Sequence, residues 1–211
     1  MNKTAVIFDL DGTLLNTLDD LRDALNYTLA AFGRPPRTLD EVRRFVGNGI
    51  PNLIERATSP DAPIQEMLDV FLPYYQLHNM DKTRPYEGVS GMLDRLKEQG
   101  RRMAIVSNKV HAASQALCGR FFPQVDVVVG SQPGLQNKPA PDMVRAAMER
   151  LGVGSAEAVY VGDSEVDLAT ARNTGLDCVC VTWGFRDKEE LERQGGTVFA
   201  ASPEELARLL A

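Results

Sequence analysis

The chain has 211 residues, enough for one large domain or for a domain that carries an insertion. Its formal net charge of -6 would repel a polyanion, so nucleic acid is not an expected partner. The 3 cysteines and 2 histidines do not have the spacing of a zinc site. No segment near the N-terminus is long and apolar enough for a signal peptide or a membrane span. We therefore expect a cytoplasmic protein without a membrane partner.

The first predicted element is a strand over the apolar residues 5–8, followed by Asp9, Asp11 and Gly12. An unbroken apolar run indicates a strand buried on both faces, and Asp-Gly indicates a turn. The acids are therefore expected at the carboxyl end of the strand, where open α/β sheets bind ligands. Two neighbouring carboxylates resist ionisation without a cation, which indicates a metal or a shared proton. The alternative is that both acids only form a turn.

An all-helical segment is predicted next, at residues 16–82. Apolar residues recur there at helical spacing after each of several start signals. These signals are Asn16 or Thr17, a capping box of Thr38 and Glu41, Pro51, and Pro63. We expect this segment to form one domain, inserted into a second domain formed by residues 1–15 and 83–211.

From Gly88 onward, predicted helices and strands alternate, which is typical of a parallel sheet covered on both sides. Strands are predicted at 103–106, 125–129, 158–161, 177–181 and 198–199. Helices are predicted at 89–99, 111–117, 143–151 and 165–173, and a last one after a capping box of Ser202 and Glu205. The expected fold is a Rossmann-like, doubly wound α/β domain, interrupted after its first strand by the helical segment.

Further polar groups follow the later strands or precede their helices: Ser107, Lys138, and Asp163 with Asp167. Asp163 and Asp167 are about one helical turn apart and can face the same crevice. Each has an ordinary explanation, because Ser107 and Asp163 could cap helices and Lys138 could be a solvated lysine. Their joint order along an α/β chain instead predicts that they converge on Asp9.

These motifs resemble those of the haloacid dehalogenase superfamily of phosphohydrolases. The resemblance rests on Asp9-Leu10-Asp11-Gly12-Thr13, Ser107, Lys138, and Gly162-Asp163-Ser164 followed by Asp167. The helical insertion is similar to the cap of one class of this superfamily. Within the superfamily, the Val-Gly-Asn-Gly run at 46–49, the segment at 53–57 and the Gln-Asn-Lys-Pro run at 136–139 resemble those of phosphoglycolate phosphatases.

The resemblance implies hydrolysis of a phosphate ester through an aspartyl-phosphate on Asp9. Asp11, a second carboxylate beside the nucleophile, would be the general acid and base. Because dehalogenases of the superfamily lack a carboxylate at this position, Asp11 also favours phosphate-ester hydrolysis. Lys138 would pair with Asp9 and a phosphate oxygen, and Ser107 would donate a hydrogen bond to another phosphate oxygen.

The resemblance also implies a magnesium ion as cofactor. Asp9, Asp163 and the backbone carbonyl of Asp11 would hold Mg²⁺, and Asp167 would orient these ligands.

Substrate selectivity is expected to come largely from the helical insertion, because the α/β core would contact only the phosphate. Arginine suits carboxylates, and glycines let backbone N–H groups approach a small anion. Besides Ser107 and Lys138, the expected substrate-binding residues are Thr13, Arg43, Gly47, Asn48, Gly49 and Asn108. The alternative is that Arg43 is a solvated helix residue and Gly47 a helix C-cap. The expected substrate is a small phosphorylated metabolite, 2-phosphoglycolate, and the enzyme is expected to be a monomer or a homodimer.

Other interpretations stay open from the sequence. Phosphatases with the same core act on sugar phosphates, pyrophosphate or nucleoside monophosphates. A phospho-accepting receiver module of signalling also gathers acids, a hydroxyl and a lysine on a doubly wound sheet, although the insertion and Asp11 argue against it. A catalytically silent interaction domain would not need every motif.

Overall fold

A computed structural model describes residues 3–47 and 49–211. The chain divides into two compact units. The first unit runs to Leu15 and resumes at Pro85–Ala211, and the second unit is Asn16–Arg84. We call them the α/β unit and the helical unit.

The strands and helices are numbered in chain order. They are β1 (Ala5–Phe8), β2 (Leu15–Asn16), α1 (Leu18–Ala31), α2 (Leu39–Phe45), α3 (Gly49–Ala57), α4 (Ile64–His78), β3 (Arg84–Pro85), α5 (Val89–Glu98), β4 (Arg102–Val110), α6 (His111–Phe121), β5 (Val127–Ser131), α7 (Asp142–Leu151), β6 (Ala158–Gly162), α8 (Glu165–Thr174), β7 (Asp177–Val181), α9 (Lys188–Arg193), β8 (Phe199–Ala200) and α10 (Pro203–Leu210). Within the described part of the chain, no helix is both long and apolar enough to cross a membrane.

The sheet of the α/β unit positions the polar residues that follow its strands. In the described residues it has 6 strands in the order β5-β4-β1-β6-β7-β8, paired in parallel, while β2 and β3 form a separate two-stranded ladder. Phe8 at the end of β1 lies opposite Ile105 of β4 and Val161 of β6. The residues just beyond these strands therefore meet at one edge, on both sides of β1. The expected parallel sheet flanked by helices is confirmed.

Burial explains why β1 is the centre of this sheet. All residues of β1 are buried, as expected of a strand that is covered on both faces. Ile7 packs in a hydrophobic cluster with Val106, Val129 and Tyr160 of neighbouring strands and with Met143 of α7. Each such side chain stabilises the fold by about 1.5–3 kcal/mol when it is fully buried.

In the helical unit, α1 packs against α2 and α4, and α3 packs against the same two helices. The expected capping box is present, since Thr38 accepts a hydrogen bond from the Glu41 N–H and the Glu41 carboxylate accepts one from the Thr38 N–H. At the start of α1, it is Asn16 rather than Thr17 whose side chain accepts a backbone N–H, that of Leu18.

Some boundaries predicted from the sequence are wrong. β4 continues to Val110, because Ser107 still pairs with Gly130 of β5 and, beyond an irregularity in the register, Val110 pairs with Ser131. β5 begins at Val127 rather than 125, because the Val125 N–H bonds to Phe122 and closes the turn after α6. The last strand is one residue later than expected.

Two features of the C-terminal region also differ from expectation. The helix α9 was not predicted, because only Leu191 is buried in its 6 residues and no periodicity arises. At the start of α10, Ser202 accepts the Glu205 N–H as expected, but the Glu205 carboxylate accepts the N–H of Ala201 and not that of Ser202.

Candidate active site

Asp9 and Lys138 form a buried ion pair at the carboxyl edge of the sheet. The backbone N–H of Asp9 donates to the Val161 carbonyl at 2.8 Å, which extends the β1–β6 ladder by one bond. Nζ of Lys138 lies 2.6 Å from Oδ1 of Asp9, and the Lys138 side chain is 4% exposed. Lys138 is therefore not a solvated lysine.

The backbone of Lys138 is fixed by Asn108. The Asn108 amide accepts the Lys138 N–H at 2.7 Å and donates to the Lys138 carbonyl at 3.0 Å. The Asn173 amide donates to the carbonyl of the next residue, Pro139, at 2.8 Å. These bonds use both polar groups of the Asn108 side chain to hold the lysine-bearing loop against the end of β4.

Asp167 connects Lys138 to the start of α8. Its Oδ1 accepts from Lys138 Nζ at 2.8 Å and from the Tyr160 hydroxyl at 3.1 Å. Its Oδ2 accepts from the Ser164 hydroxyl at 2.6 Å and from the backbone N–H groups of Ser164 and Asp163. Ser164 and not Asp163 is the N-cap residue of α8. Because both Asp167 oxygens already accept from protein donors, this side chain is suited to orienting its neighbours.

Asp163 is held by donors from two segments of the α/β unit. Its carboxylate accepts from the Thr13 hydroxyl at 3.1 Å and from the Phe185 N–H at 2.7 Å. A Cβ at Gly12, whose φ is +95°, or at Gly184 would lie 2.4 Å from an Asp163 atom. Both glycines are therefore required for the loops to close around this carboxylate.

Burial and charge shift the ionisation of this cluster. Burial raises the pKa of Asp9 well above its ordinary value; Lys138 opposes the shift, and the nearby Asp167 and Asp163 add to it. Burial, followed by the charge of Asp167, raises the pKa of Asp163 to about 7. Burial alone would lower the pKa of Lys138, but the negative charges of Asp167 and Asp9 outweigh it and raise that pKa.

The three acids fit a divalent cation. Asp9, Asp163 and Asp167 are buried, and one carboxylate oxygen from each lies within 4.8 Å of the others. Carboxylates are hard oxygen ligands of the kind that Mg²⁺ prefers. The raised pKa values of Asp9 and Asp163 show that the protein alone undercompensates their charge, so that a cation there would favour their ionised forms.

The second acid of the first motif contacts a different lysine. Oδ1 of Asp11 lies 2.9 Å from Nζ of Lys109, and the Ser107 hydroxyl donates to Oδ2 at 3.4 Å. Ser107 also accepts the Lys109 N–H at 3.1 Å, and it lies within β4 rather than at a helix N-cap. The two acids at the end of β1 therefore have separate cationic partners.

The structure brings the expected α/β residues together and adds two that the sequence did not single out, Lys109 and Tyr160. Lys109 follows Ser107 by two residues, and this spacing along an extended segment was the available signal. Tyr160 was the polar exception in an otherwise apolar strand.

The remaining expected residues belong to the helical unit. Arg43 lies half-buried in the last turn of α2, and Gly47 and Gly49 follow with φ values of 137° and 83°. Asn48 lies outside the described residues. Val46 rather than Gly47 occupies the C-cap position of α2.

The family model for haloacid dehalogenase-like hydrolases matches residues 6–181. The chain belongs to this family. A phosphoglycolate phosphatase from Cereibacter sphaeroides is 40% identical over 190 residues, covering 86% of each chain. A crystal structure from Lactobacillus delbrueckii subsp. bulgaricus, provisionally named a phosphoglycolate phosphatase, has a TM-score of 0.96 at 34% identity and covers 100% of this chain and 99% of its own. CbbY from Rhodobacter sphaeroides, solved in complex with phosphate, has a TM-score of 0.79 at 26% identity and covers 97% of this chain and 96% of its own.

These comparisons confirm the resemblance inferred from the motifs. They also confirm the expected class of enzyme, a phosphoric monoester hydrolase of the haloacid dehalogenase-like family. The buried acids of the site agree with the metal dependence that is general in this family.

Proposed function

We propose that this protein is a Mg²⁺-dependent phosphatase that hydrolyses 2-phosphoglycolate to glycolate and phosphate through an aspartyl-phosphate on Asp9. The observation that carries the proposal is the buried contact of Lys138 Nζ with Oδ1 of Asp9 at 2.6 Å, beside Asp163 and Asp167. A potential nucleophile, a cation and a metal-type cluster thus share one site. Relatives named phosphoglycolate phosphatase, at 31–40% identity, support the substrate.

Asp9 attacks phosphorus, the bond from phosphorus to the ester oxygen breaks, and the phosphoryl group is transferred to the Asp9 carboxylate. A carboxylate that approaches a phosphate dianion is repelled. Two unit charges about 4 Å apart interact by roughly 4 kcal/mol at an effective dielectric near 20, which costs about a thousandfold in rate. The ammonium of Lys138 offsets this repulsion and holds the attacking carboxylate in place.

The proposed Mg²⁺ site follows from the acid cluster. Asp9, Asp163 and the backbone carbonyl of Asp11 would hold Mg²⁺, and Asp167 would orient them while it fixes Lys138. When it is bound, Mg²⁺ supplies charge stabilisation to the transferring phosphoryl group. Thr13 contributes by holding Asp163 through its 3.1 Å hydrogen bond.

Asp11 exchanges protons in both halves of the reaction. It gives a proton to the departing alkoxide, and it later takes one from the water that attacks the phosphorus of the aspartyl-phosphate. The second attack breaks the bond between phosphorus and the Asp9 oxygen and releases phosphate. Ser107, which contacts Asp11 in the free enzyme, and Lys138 donate hydrogen bonds to phosphate oxygens.

Selection of the glycolate portion is assigned to Arg43, Gly47, Asn48 and Gly49. A guanidinium and glycine N–H groups match the chemistry of a small carboxylate. Asn48→Ala is expected to reduce the preference for 2-phosphoglycolate across a panel of small phosphates, and an unchanged preference would contradict this assignment.

The enzyme is proposed to act in the cytoplasm as a monomer or a homodimer, and light scattering after size-exclusion chromatography tests the oligomeric state.

A kinetic profile over phosphorylated metabolites tests the proposed substrate. The profile includes 2-phosphoglycolate, sugar phosphates, pyrophosphate and nucleoside monophosphates, each with Mg²⁺. The expected result is the highest kcat/KM for 2-phosphoglycolate. A higher value for another member would overturn the substrate, and the absence of turnover with every member and with p-nitrophenyl phosphate would overturn the phosphatase itself.

A further inference from the structure

Lys109 is a partly enclosed cation next to the proposed general acid and base. The Lys109 side chain is 8% exposed and that of Asp11 is 17% exposed, and their charged atoms lie 2.9 Å apart. Most lysines are solvated, and holding a lysine side chain in one geometry costs conformational entropy. An ion pair in so enclosed a position therefore indicates that the location of the Asp11 carboxylate matters.

The backbone around Lys109 is built to direct this side chain. The parallel register of β4 and β5 is irregular between Ser107 and Val110, so Lys109 lies where the regular ladder is interrupted. The Ser107 hydroxyl accepts the Lys109 N–H at 3.1 Å, and the Ser114 hydroxyl donates to the Lys109 carbonyl at 3.3 Å. A Cβ at Gly130 of β5 would lie 2.7 Å from that carbonyl oxygen. Only a glycine leaves room for this path of the chain.

The two oxygens of Asp11 are held unequally. Oδ1 faces Lys109 at 2.9 Å, whereas the contact of Oδ2 within residues 3–47 and 49–211 is the longer one, 3.4 Å to the Ser107 hydroxyl. A hydrogen bond of 3.4 Å is at the weak end of the range, and the ammonium can donate to Oδ1 whether Asp11 is ionised or protonated. Oδ2 is thus the oxygen that can release or accept a proton while Oδ1 stays anchored.

We propose that Lys109 is a positioning residue for Asp11: it anchors Oδ1 and thereby presents Oδ2 to the ester oxygen and, in the second half-reaction, to the attacking water. This inference rests on the proposed function, because it concerns the proton that Asp11 gives to the leaving group. The ester oxygen keeps the electron pair of its bond to phosphorus, and it takes the proton from Oδ2 as the alcohol departs.

A leaving-group comparison separates positioning from a merely structural role. An alkyl phosphate needs a proton as its alcohol departs, whereas p-nitrophenyl phosphate releases a phenolate that is stable without one. For Lys109→Met, kcat/KM for 2-phosphoglycolate is expected to fall about a hundredfold, the lower end of general acid–base effects. The loss for p-nitrophenyl phosphate is expected to be at least about tenfold smaller, because this substrate does not depend on general acid catalysis.

The decisive measurement is the ratio of kcat/KM for 2-phosphoglycolate to kcat/KM for p-nitrophenyl phosphate. Both values come from one preparation of the full chain with Mg²⁺, so a misfolded fraction lowers them equally and cancels in the ratio. Lys97→Met is the control; Lys97 pairs with Asp126 on the surface of the same unit, and its ratio should equal that of the wild type.

Asp11→Asn distinguishes the two ways in which the experiment can fail. If Asp11→Asn lowers the ratio and Lys109→Met does not, the inference about Lys109 is overturned and the proposed function stands. If Asp11→Asn also leaves the ratio unchanged, the role of Asp11 in the proposed function is wrong and the inference falls with it. A lowered ratio in both variants supports the inference.

Discussion

The replacement Lys138→Met tests the charge balance at the centre of the site. Lys138 lies 2.6 Å from Asp9 and 2.8 Å from Asp167, and its side chain is 4% exposed. Each contact is worth roughly 6 kcal/mol at an effective dielectric near 20, before the cost of burying the ammonium is subtracted. Removing one partner of a buried pair typically costs about 3–5 kcal/mol of stability, and we expect a loss in that range near pH 8.

The loss should depend on pH with a definite sign. Without the ammonium, the pKa of Asp9 rises further above its unfolded value, because burial and the charge of Asp167 are no longer opposed. The folded variant then holds a proton that the unfolded chain releases, so its stability falls as pH rises above about 4. At about 1.4 kcal/mol per pH unit, one extra proton held over these 2.5 units corresponds to about 3.5 kcal/mol, so the deficit relative to the wild type should be smaller near pH 5.5 than near pH 8 by up to about that amount.

Urea unfolding in the presence of EDTA measures this deficit at both pH values. Lys82→Met is a matched control, because Lys82 also pairs with an aspartate, Asp23, but its side chain is 48% exposed. A surface pair of this kind contributes less than about 1 kcal/mol, so the control should lose little at either pH. Equal deficits for both variants, or a Lys138→Met deficit that does not change with pH, would refute the argument.

Further outcomes follow from the same site. Asp9→Asn should lower kcat at least about a thousandfold, because the amide cannot serve as the attacking carboxylate, and phosphate release near wild-type rates would contradict the covalent route. The Mg²⁺-induced rise in Tm should be larger near pH 8 than near pH 5.5, because Asp163, with a pKa of about 7, must lose a proton to bind the ion. The rise should vanish in Asp163→Asn. An equal rise at both pH values would contradict this linkage. Gly184→Ala should cost about 1–3 kcal/mol in urea unfolding, because its Cβ would lie 2.4 Å from Asp163. Gly119→Ala in α6 should be neutral or stabilising, because its Cβ would meet no described atom within 4 Å beyond its chain neighbours and its own helix backbone.

The sequence located the acids and Lys138 because strand order determines where strand ends meet. Asp9, Ser107 and Asp163 each follow an apolar run, and parallel strands bring such positions to one edge whatever the details of packing. Element type and chain order are enough to predict that these residues lie together. They contain no side-chain geometry, so they do not predict which residues pair.

The pairing of residues depended on features without a sequence pattern. Lys109 faces Asp11 because β4 continues past a register irregularity, and Asn108 binds the Lys138 backbone because a loop returns to the same strand end. Tyr160 reaches Asp167 from the interior of β6. Each contact joins residues that are distant in sequence or depends on one local departure from regular geometry, which periodicity cannot reveal.

The charges of the site determine the order in which its ligands can bind. Asp9, Asp163 and Asp167, when ionised, carry three negative charges against the single positive charge of Lys138, so the buried cluster has two negative charges in excess. The Asp11–Lys109 pair is neutral when both groups are ionised, and it then does not change this count. A phosphate dianion would add to the excess, whereas a divalent cation removes it. We therefore expect inorganic phosphate to raise the Tm only when Mg²⁺ is present at neutral pH, and a phosphate-induced shift of equal size in EDTA would show that the charge count does not govern binding.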